Sequence, residues 1–354
     1  MTLDTAFIAG RNSLNALRLL MAALVIVAHS WWLTGLGPGP ALAGGQLGSW
    51  SVVGFFGISG YLITLSRIRA VSSLAFFSAR FLRIIPGLAV CLAVTAFVFA
   101  PLATLFGNRS YSLDEAIDYV LINITILGTQ LGRTPIGSTL SGIPGADEWN
   151  SPLWTLFWEV MCYLLIGFLA YLKPELFRAA IVVIFGVVVG ALLMQVAAYG
   201  PTAGVWGRVL CPVATFLAGS LLCLFRARVV IKTSVVSMAL CLLVVSFLAG
   251  NTLALCPLPF AYLTLVLGAS PVFHRIGSRF DISYGMYIYG WPAQQILVLA
   301  GVAAAVPLGT FAFLSLAVTA PLAWLSCAFV EGPAQEVARQ VGARNRFSRH
   351  LTIS

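Results

Sequence analysis

Apolar residues run along this chain in long blocks separated by short polar connections, and ten such blocks stand out: 14–34, 48–66, 83–105, 152–171, 179–197, 206–225, 231–249, 254–271, 281–301 and 308–330. Each is close to the ~20 residues a helix needs to cross the hydrocarbon core of a bilayer. A membrane barrel would alternate apolar and polar positions strand by strand, and these blocks do not. In lipid, the remaining way to satisfy the backbone is the helix, which bonds every N–H and C=O within its own segment. The pattern predicts an all-α, polytopic integral membrane protein with about ten transmembrane helices.

Composition agrees with the pattern. Sixty per cent of the 354 residues are hydrophobic and 9% are charged, against roughly a quarter charged in a soluble domain. Too little polar surface remains to cover a water-soluble globule of this length.

Charge then sets direction. The connections after the second, fourth, sixth and eighth blocks carry Arg67, Arg69, Arg80 and Arg83; Lys173 and Arg178; Arg226, Arg228 and Lys232; and Arg275 and Arg279. Arg11 and Arg18 lie near the start, and Arg339, Arg344, Arg346 and Arg349 lie near the end. Seventeen of the 20 basic residues thus fall on one side, the exceptions being Arg109, Arg133 and Arg208. Basic residues accumulate on the cytoplasmic side, so both termini are expected there. The net charge of +9 is a topology signal and not a nucleic-acid-binding surface. The first block could pass for a secretory signal with Ala41-Leu42-Ala43 as its cleavage site, but its apolar run is longer than such a signal needs.

The organisation expected is a transmembrane domain over 1–335 with one long external loop at about 106–150, followed by a basic cytoplasmic tail over 336–354. In the loop, Ser112 can cap a short helix, with Asp114 and Glu115 in its first turn. Ile117, Val120, Leu121 and Ile124 give that helix an apolar face suited to the membrane surface. The seven cysteines lie mostly in apolar segments without metal-type spacing and read as small packing residues, so no metal site is expected.

An ionisable group inside a span is costly and marks a candidate site. His29 lies in the outer half of the first span, eleven residues after Arg18 and so on nearly the same helix face, about 16 Å along the axis. Imidazole takes and returns a proton near neutral pH; alternatively a neighbouring helix satisfies it. Glu159 lies in the fourth span at a depth similar to that of His29. It can orient an imidazole or pair with an arginine to hold helices together. Arg80 and Arg83 share one helix face and suit either a phosphate-bearing ligand or anionic lipid. Phe55-Phe56-Gly57-Ile58-Ser59-Gly60-Tyr61 carries small residues spaced for close helix packing.

Taken in order, these segments resemble the acyltransferase 3 family, membrane acyltransferases that modify bacterial surface sugars and some secondary metabolites. The resemblance rests on Arg18-x10-His29, Phe55-Phe56-x2-Ser59-Gly60-x-Leu62, Arg80-x2-Arg83 with Pro86, Leu153-Trp154-Thr155-Leu156-x2-Glu159-x3-Tyr163, Ile282-Ser283-Tyr284-Gly285-x-Tyr287 and Glu331-Gly332-Pro333. It covers almost the whole chain. Tyr61 stands where phenylalanine is usual, and the extra esterase-like domain of many relatives is not among these segments. The resemblance implies an inner-membrane enzyme with no permanently bound cofactor. Acyl-CoA, most simply acetyl-CoA, is its donor, and the hydroxyl of a glycan or lipid-linked sugar is its acceptor. It further implies His29 as general base, Glu159 orienting it, Arg80 and Arg83 on the CoA phosphates and Arg18 at the inner mouth. Two rival readings remain at this point: a transporter or flippase for a lipid-linked glycan, and a structural subunit of a polysaccharide assembly complex. Against the transporter stands the lack of an internal repeat.

Overall fold

The structure, a computed structural model, describes residues 1–7, 11–131, 134–145, 148–201 and 204–351. Its principal helices are α1 (Leu14–Leu33), α2 (Leu47–Arg69), α3 (Ser73–Val94), α4 (Leu113–Ile124), α5 (Trp154–Leu169), α6 (Pro174–Tyr199), α7 (Gly204–Leu224), α8 (Thr233–Leu248), α9 (Pro257–Ala269), α10 (Ser283–Leu299), α11 (Leu308–Ser326) and α12 (Gly332–Leu351). Every one of the ten apolar blocks coincides with a helix. Among the described residues, seven helical stretches are long and apolar enough to cross a membrane. The protein is an all-helical polytopic membrane protein. The blocks at 231–249 and 254–271 form the shorter apolar helices α8 and α9. The block at 281–301 forms α10, at 17 residues shorter than any of those seven stretches.

The chain folds into two compact units interleaved along the sequence. The first comprises Met1–Met21, Pro40–Phe76 and Trp158–Arg279; the second comprises Ala22–Gly39, Phe77–Phe157 and Phe280–Ser354. Three of the divisions fall inside α1, α3 and α5, so no linker marks them in the sequence.

In the first unit α2 lies against α7. A side chain at Gly60 would collide with the carbonyl of Phe216, and one at Gly219 would collide with the carbonyl of Gly57. The small residues therefore let two backbones approach, which is how helices associate where lipid removes the hydrophobic drive. Around this contact Ile58, Tyr61, Ala218, Leu222, Ala261 and Leu265 are buried together. On the outside of the unit α6 buries only Phe177, Ile181, Leu192 and Val196, while Val183, Val187 and Met194 stand exposed. An apolar surface of that extent is stable against lipid and costly in water.

In the second unit α10 is enclosed along 15 of its 17 residues. Leu33, Trp291, Val298 and Phe311 form an apolar cluster about it. The helix that begins as α3 continues through a π turn at Thr95–Phe99, and α11 ends in a second π turn at Cys327–Glu331. Such turns insert one residue and re-aim the side chains that follow; the second turn carries the fully buried Glu331.

The long connection at about 106–150 folds as expected at its start, with Ser112 accepting a hydrogen bond from the Glu115 N–H at 3.3 Å. Ala116, Tyr119 and Asn123 are its packed face, while Leu113, Ile117 and Leu121 are exposed. The apolar stripe thus points away from the protein, as a membrane-surface helix requires. Beyond α4 the chain is pinned back. The Ser138 N–H donates to the Ser110 carbonyl at 3.0 Å, Arg109 donates to the Ser141 carbonyl at 3.0 Å, and the Gly137 N–H donates to the Glu115 carboxylate. Arg109, an exception to the basic-inside pattern, is spent on this loop; Arg133, another exception, lies outside the described residues. The basic tail continues as helix α12.

Candidate active site

His29 stands on α1 in the second unit, partly exposed. Its ring meets the Trp291 indole edge-on, with centroids 4.8 Å apart and planes at 82°. The neighbouring turn of α1 is fixed by an amide. Gln294 Nε2 donates to the Ile26 carbonyl and to Ser30 Oγ, both at 3.0 Å. Trp291 Nε1 donates to the Glu148 carbonyl at 3.0 Å, and Gln295 Nε2 donates to the Gly145 carbonyl at 2.9 Å. One face of α10 therefore holds both the helix that carries His29 and the end of the external loop. Gln294 and Gln295 are fully buried, yet their Oε1 atoms have no hydrogen-bond partner among the described residues. Burying a lone acceptor costs ~1–3 kcal/mol, so these amides are a polar investment in an apolar span.

Glu159 belongs to the first unit, on α5. Its carboxylate accepts from Ser59 Oγ at 3.3 Å and from the Tyr163 hydroxyl one turn along its own helix. Ser59, read from sequence as a packing residue, also supplies a hydrogen bond. Arg18 lies partly buried near the start of α1, and that part of the helix is in the first unit.

Arg80 and Arg83 share a face of α3 in the second unit and are both partly exposed. Arg83 donates to Asp281 at 3.0 Å, stands 4.0 Å from the Glu331 carboxylate and lies 6.0 Å from the centre of the Tyr284 ring. Asp281 also accepts from Ser283 Oγ at 2.6 Å and from its N–H at 3.3 Å, which satisfies a free amide at the start of α10. Glu331 accepts from Ser326 Oγ at 2.9 Å. Tyr284 donates to the Ile84 carbonyl at 2.9 Å, and Tyr287 donates to the Pro152 carbonyl at 3.0 Å. Three sequence motifs distant in the chain thus meet in one polar cluster. Arg67, expected in the same basic patch, braces the first unit instead, donating to Ser73 Oγ at 3.0 Å with its guanidinium over Phe76 and Tyr171.

Of the five residues singled out by sequence, His29, Arg80 and Arg83 belong to the second unit, and Arg18 and Glu159 to the first. Sequence reasoning missed Trp291, Gln294, Gln295, Asp281 and Asn150. The glutamines do carry a sequence signal, two adjacent amides inside an apolar span. No group of His, Cys, Asp and Glu among the described residues is arranged to hold a metal ion.

Comparison with known proteins adds the following. A family model described as an acyltransferase domain, Acyl_transf_3, matches residues 11–328. An O-acetyl transferase of Shigella phage Sf6 is 30% identical over 295 residues, covering 81% of this chain and 86% of that protein. Nodulation protein 10 of Rhizobium leguminosarum bv. viciae is 28% identical over 379 residues, covering 94% and 96%. No solved structure matches.

Proposed function

This chain belongs to the acyltransferase 3 family and is an acyltransferase, and from that premise we propose that it is a membrane O-acyltransferase that moves an acetyl group from cytoplasmic acetyl-CoA to a sugar hydroxyl. The acceptor is an exopolysaccharide, lipopolysaccharide or related glycan. The phage relative's name supports O-acetyl transfer. In this reading the chain crosses the bacterial inner membrane ten times with both termini in the cytoplasm. That orientation puts Arg80 and Arg83 on the donor side and the long loop on the acceptor side.

The observation that carries the site assignment is His29, a titratable group held against Trp291 on a helix turn fixed by Gln294. His29 takes the proton of the acceptor hydroxyl as its oxygen attacks the thioester carbonyl. The C–S bond then breaks, and the imidazolium returns the proton to the departing CoA sulfur. Ester and free thiol form, and His29 is regenerated. Glu159, which accepts hydrogen bonds from Ser59 and Tyr163, has the role of orienting the base, and Arg18 that of holding the inner mouth. Arg83 already shares its charge with Asp281 and Glu331. Arg80 and Arg83, one turn apart on α3, are assigned together to the CoA phosphates, as their shared helix face allows.

The test is label transfer. Purified protein given radiolabelled acetyl-CoA should label glycan, and His29→Ala should abolish the transfer while leaving the protein in the membrane. Substantial residual transfer by that variant would remove His29 from the base role. Absence of transfer by the unmodified protein would overturn acetyl-CoA as donor or glycan as acceptor.

A further inference from the structure

Within the second unit the external connection lines a cavity of about 330 Å³, inside the ~300–1,000 Å³ range of small-molecule sites. Tyr119, Asn123, Gln130, Glu148, Asn150 and Trp154 are in its wall. A neutral ligand rich in hydroxyls would find amides, a carboxylate and an indole there.

Asn150 makes the wall specific. It is 7% exposed, and its Nδ2 donates to the Ile288 carbonyl at 2.8 Å. That bond fixes which way the amide points, because reversing it would set oxygen against oxygen. Its Oδ1 is then left buried without a partner among the described residues. A buried acceptor of this kind wants a donor, and a ligand hydroxyl supplies one. Tyr119 stays a neutral phenol, because burial holds its pKa well above the ordinary value.

The cavity is also tied to His29. The Glu148 carbonyl accepts from Trp291, and the Trp291 ring meets His29. Ile288, Trp291 and Gln295 lie on one face of α10 and bond Asn150, Glu148 and Gly145 in turn. The wall of the cavity and the candidate base are therefore fixed on the same helix.

We propose that this cavity is the acceptor subsite and takes one neutral pyranose ring, with Asn150 Oδ1 accepting from a ring hydroxyl and Trp154 supplying the aromatic wall. The assignment rests on reading the chain as an acyltransferase of sugar hydroxyls. It is tested with the full chain in lipid nanodiscs, radiolabelled acetyl-CoA, and lipopolysaccharide stripped of its esters by alkali as acceptor. Asn150→Leu, Glu148→Gln and Trp154→Leu should each raise the half-saturating acceptor concentration roughly tenfold, the loss of about one hydrogen bond or aromatic contact, and leave the half-saturating acetyl-CoA concentration unchanged. Should Asn150→Leu not fold, the other two variants carry the same test. Unmoved acceptor dependence, or a rise in the acetyl-CoA requirement alone, would overturn the subsite while leaving acyl transfer intact. An unmodified protein that labels no polysaccharide would overturn acyl transfer to sugar and the subsite with it.

Discussion

The guanidinium of Arg83 donates to the carboxylate of Asp281 at 3.0 Å, bridging α3 to the residue that caps α10. Glu331 stands on the other side of the same guanidinium at 4.0 Å. One cation thus gathers the start of α10 and the π turn that ends α11, and α10 in turn carries Trp291, Gln294 and Gln295. The pair lies remote in sequence from His29 but acts on the helix against which His29 rests.

Removing either partner should therefore loosen the fold before it touches the chemistry. Breaking a buried pair from one side costs ~3–5 kcal/mol. With side chains 17% and 19% exposed, Arg83→Gln should cost less, about 2 kcal/mol. Asp281→Asn should be milder, since the amide oxygen still accepts from Ser283. Arg80→Gln should raise the acetyl-CoA requirement, and Asp281→Asn should leave it unchanged. Thermal unfolding in detergent together with CoA-binding measurements separates the two. An unchanged acetyl-CoA requirement in Arg80→Gln would refute its phosphate role.

Glu159 offers a second separation. Tyr163→Phe removes the donor one turn away on α5, and Ser59→Ala removes the longer 3.3 Å bond. Loss of a hydrogen bond to a charged group is worth ~1.5–3 kcal/mol. Tyr163→Phe should therefore lower transfer at least tenfold, with Ser59→Ala weaker. In a Glu159→Ala background both should add little, because the coupling has gone. Fully additive losses in that cycle would mean that Tyr163 and Ser59 act independently of Glu159.

Trp291 combines two functions that substitution can divide. Trp291→Phe keeps an aromatic ring beside His29 but loses the donation to the Glu148 carbonyl, which retains Gln295 Nε2 at 3.4 Å. Trp291→Leu loses the ring edge as well, a further ~0.5–1.5 kcal/mol. Turnover should fall in the order Trp, Phe, Leu in single-turnover assays. Equal losses for Phe and Leu would place the effect in the Glu148 bond and not in the contact with His29.

The helices were legible because a bilayer demands long apolar runs, and each of the ten blocks coincides with one. The cap at Ser112 was legible for the same local reason: a short polar side chain precedes two acidic residues. Of the apolar stripe expected on α4, Ile117 and Leu121 are exposed while Val120 and Ile124 are half-buried, and the packed face, Ala116-Tyr119-Asn123, was not legible, because a buried asparagine becomes intelligible only beside its partners Tyr119 and Thr134. Ser283 and Glu331 were visible only as motif letters. Their meaning depends on Arg83, some 200 residues away from Ser283, and on a π turn that no periodicity announces. The division of the chain into two interleaved units left no mark, since it falls inside continuous helices.

Gly60 gives the sharpest test of the packing in the first unit. A Cβ there would strike the Phe216 carbonyl, which is backbone on α7 and cannot swing aside. At Gly57 the nearest atom is the Thr215 methyl at 3.2 Å, a side chain that can give slightly, and at Gly186 nothing lies within 4 Å. Overpacking typically costs ~1–3 kcal/mol, and with a rigid backbone as the obstacle Gly60→Ala should reach the top of that range. Gly57→Ala should cost about 1 kcal/mol. Gly186→Ala should be neutral or stabilising, because a helical glycine is ~0.5–1 kcal/mol less favourable than alanine. Melting temperatures in detergent should therefore order Gly186→Ala above Gly57→Ala above Gly60→Ala. If Gly60→Ala melts with the parent protein, α2 and α7 are not in the close contact described, and the small residues of the Phe55–Tyr61 segment serve something other than packing.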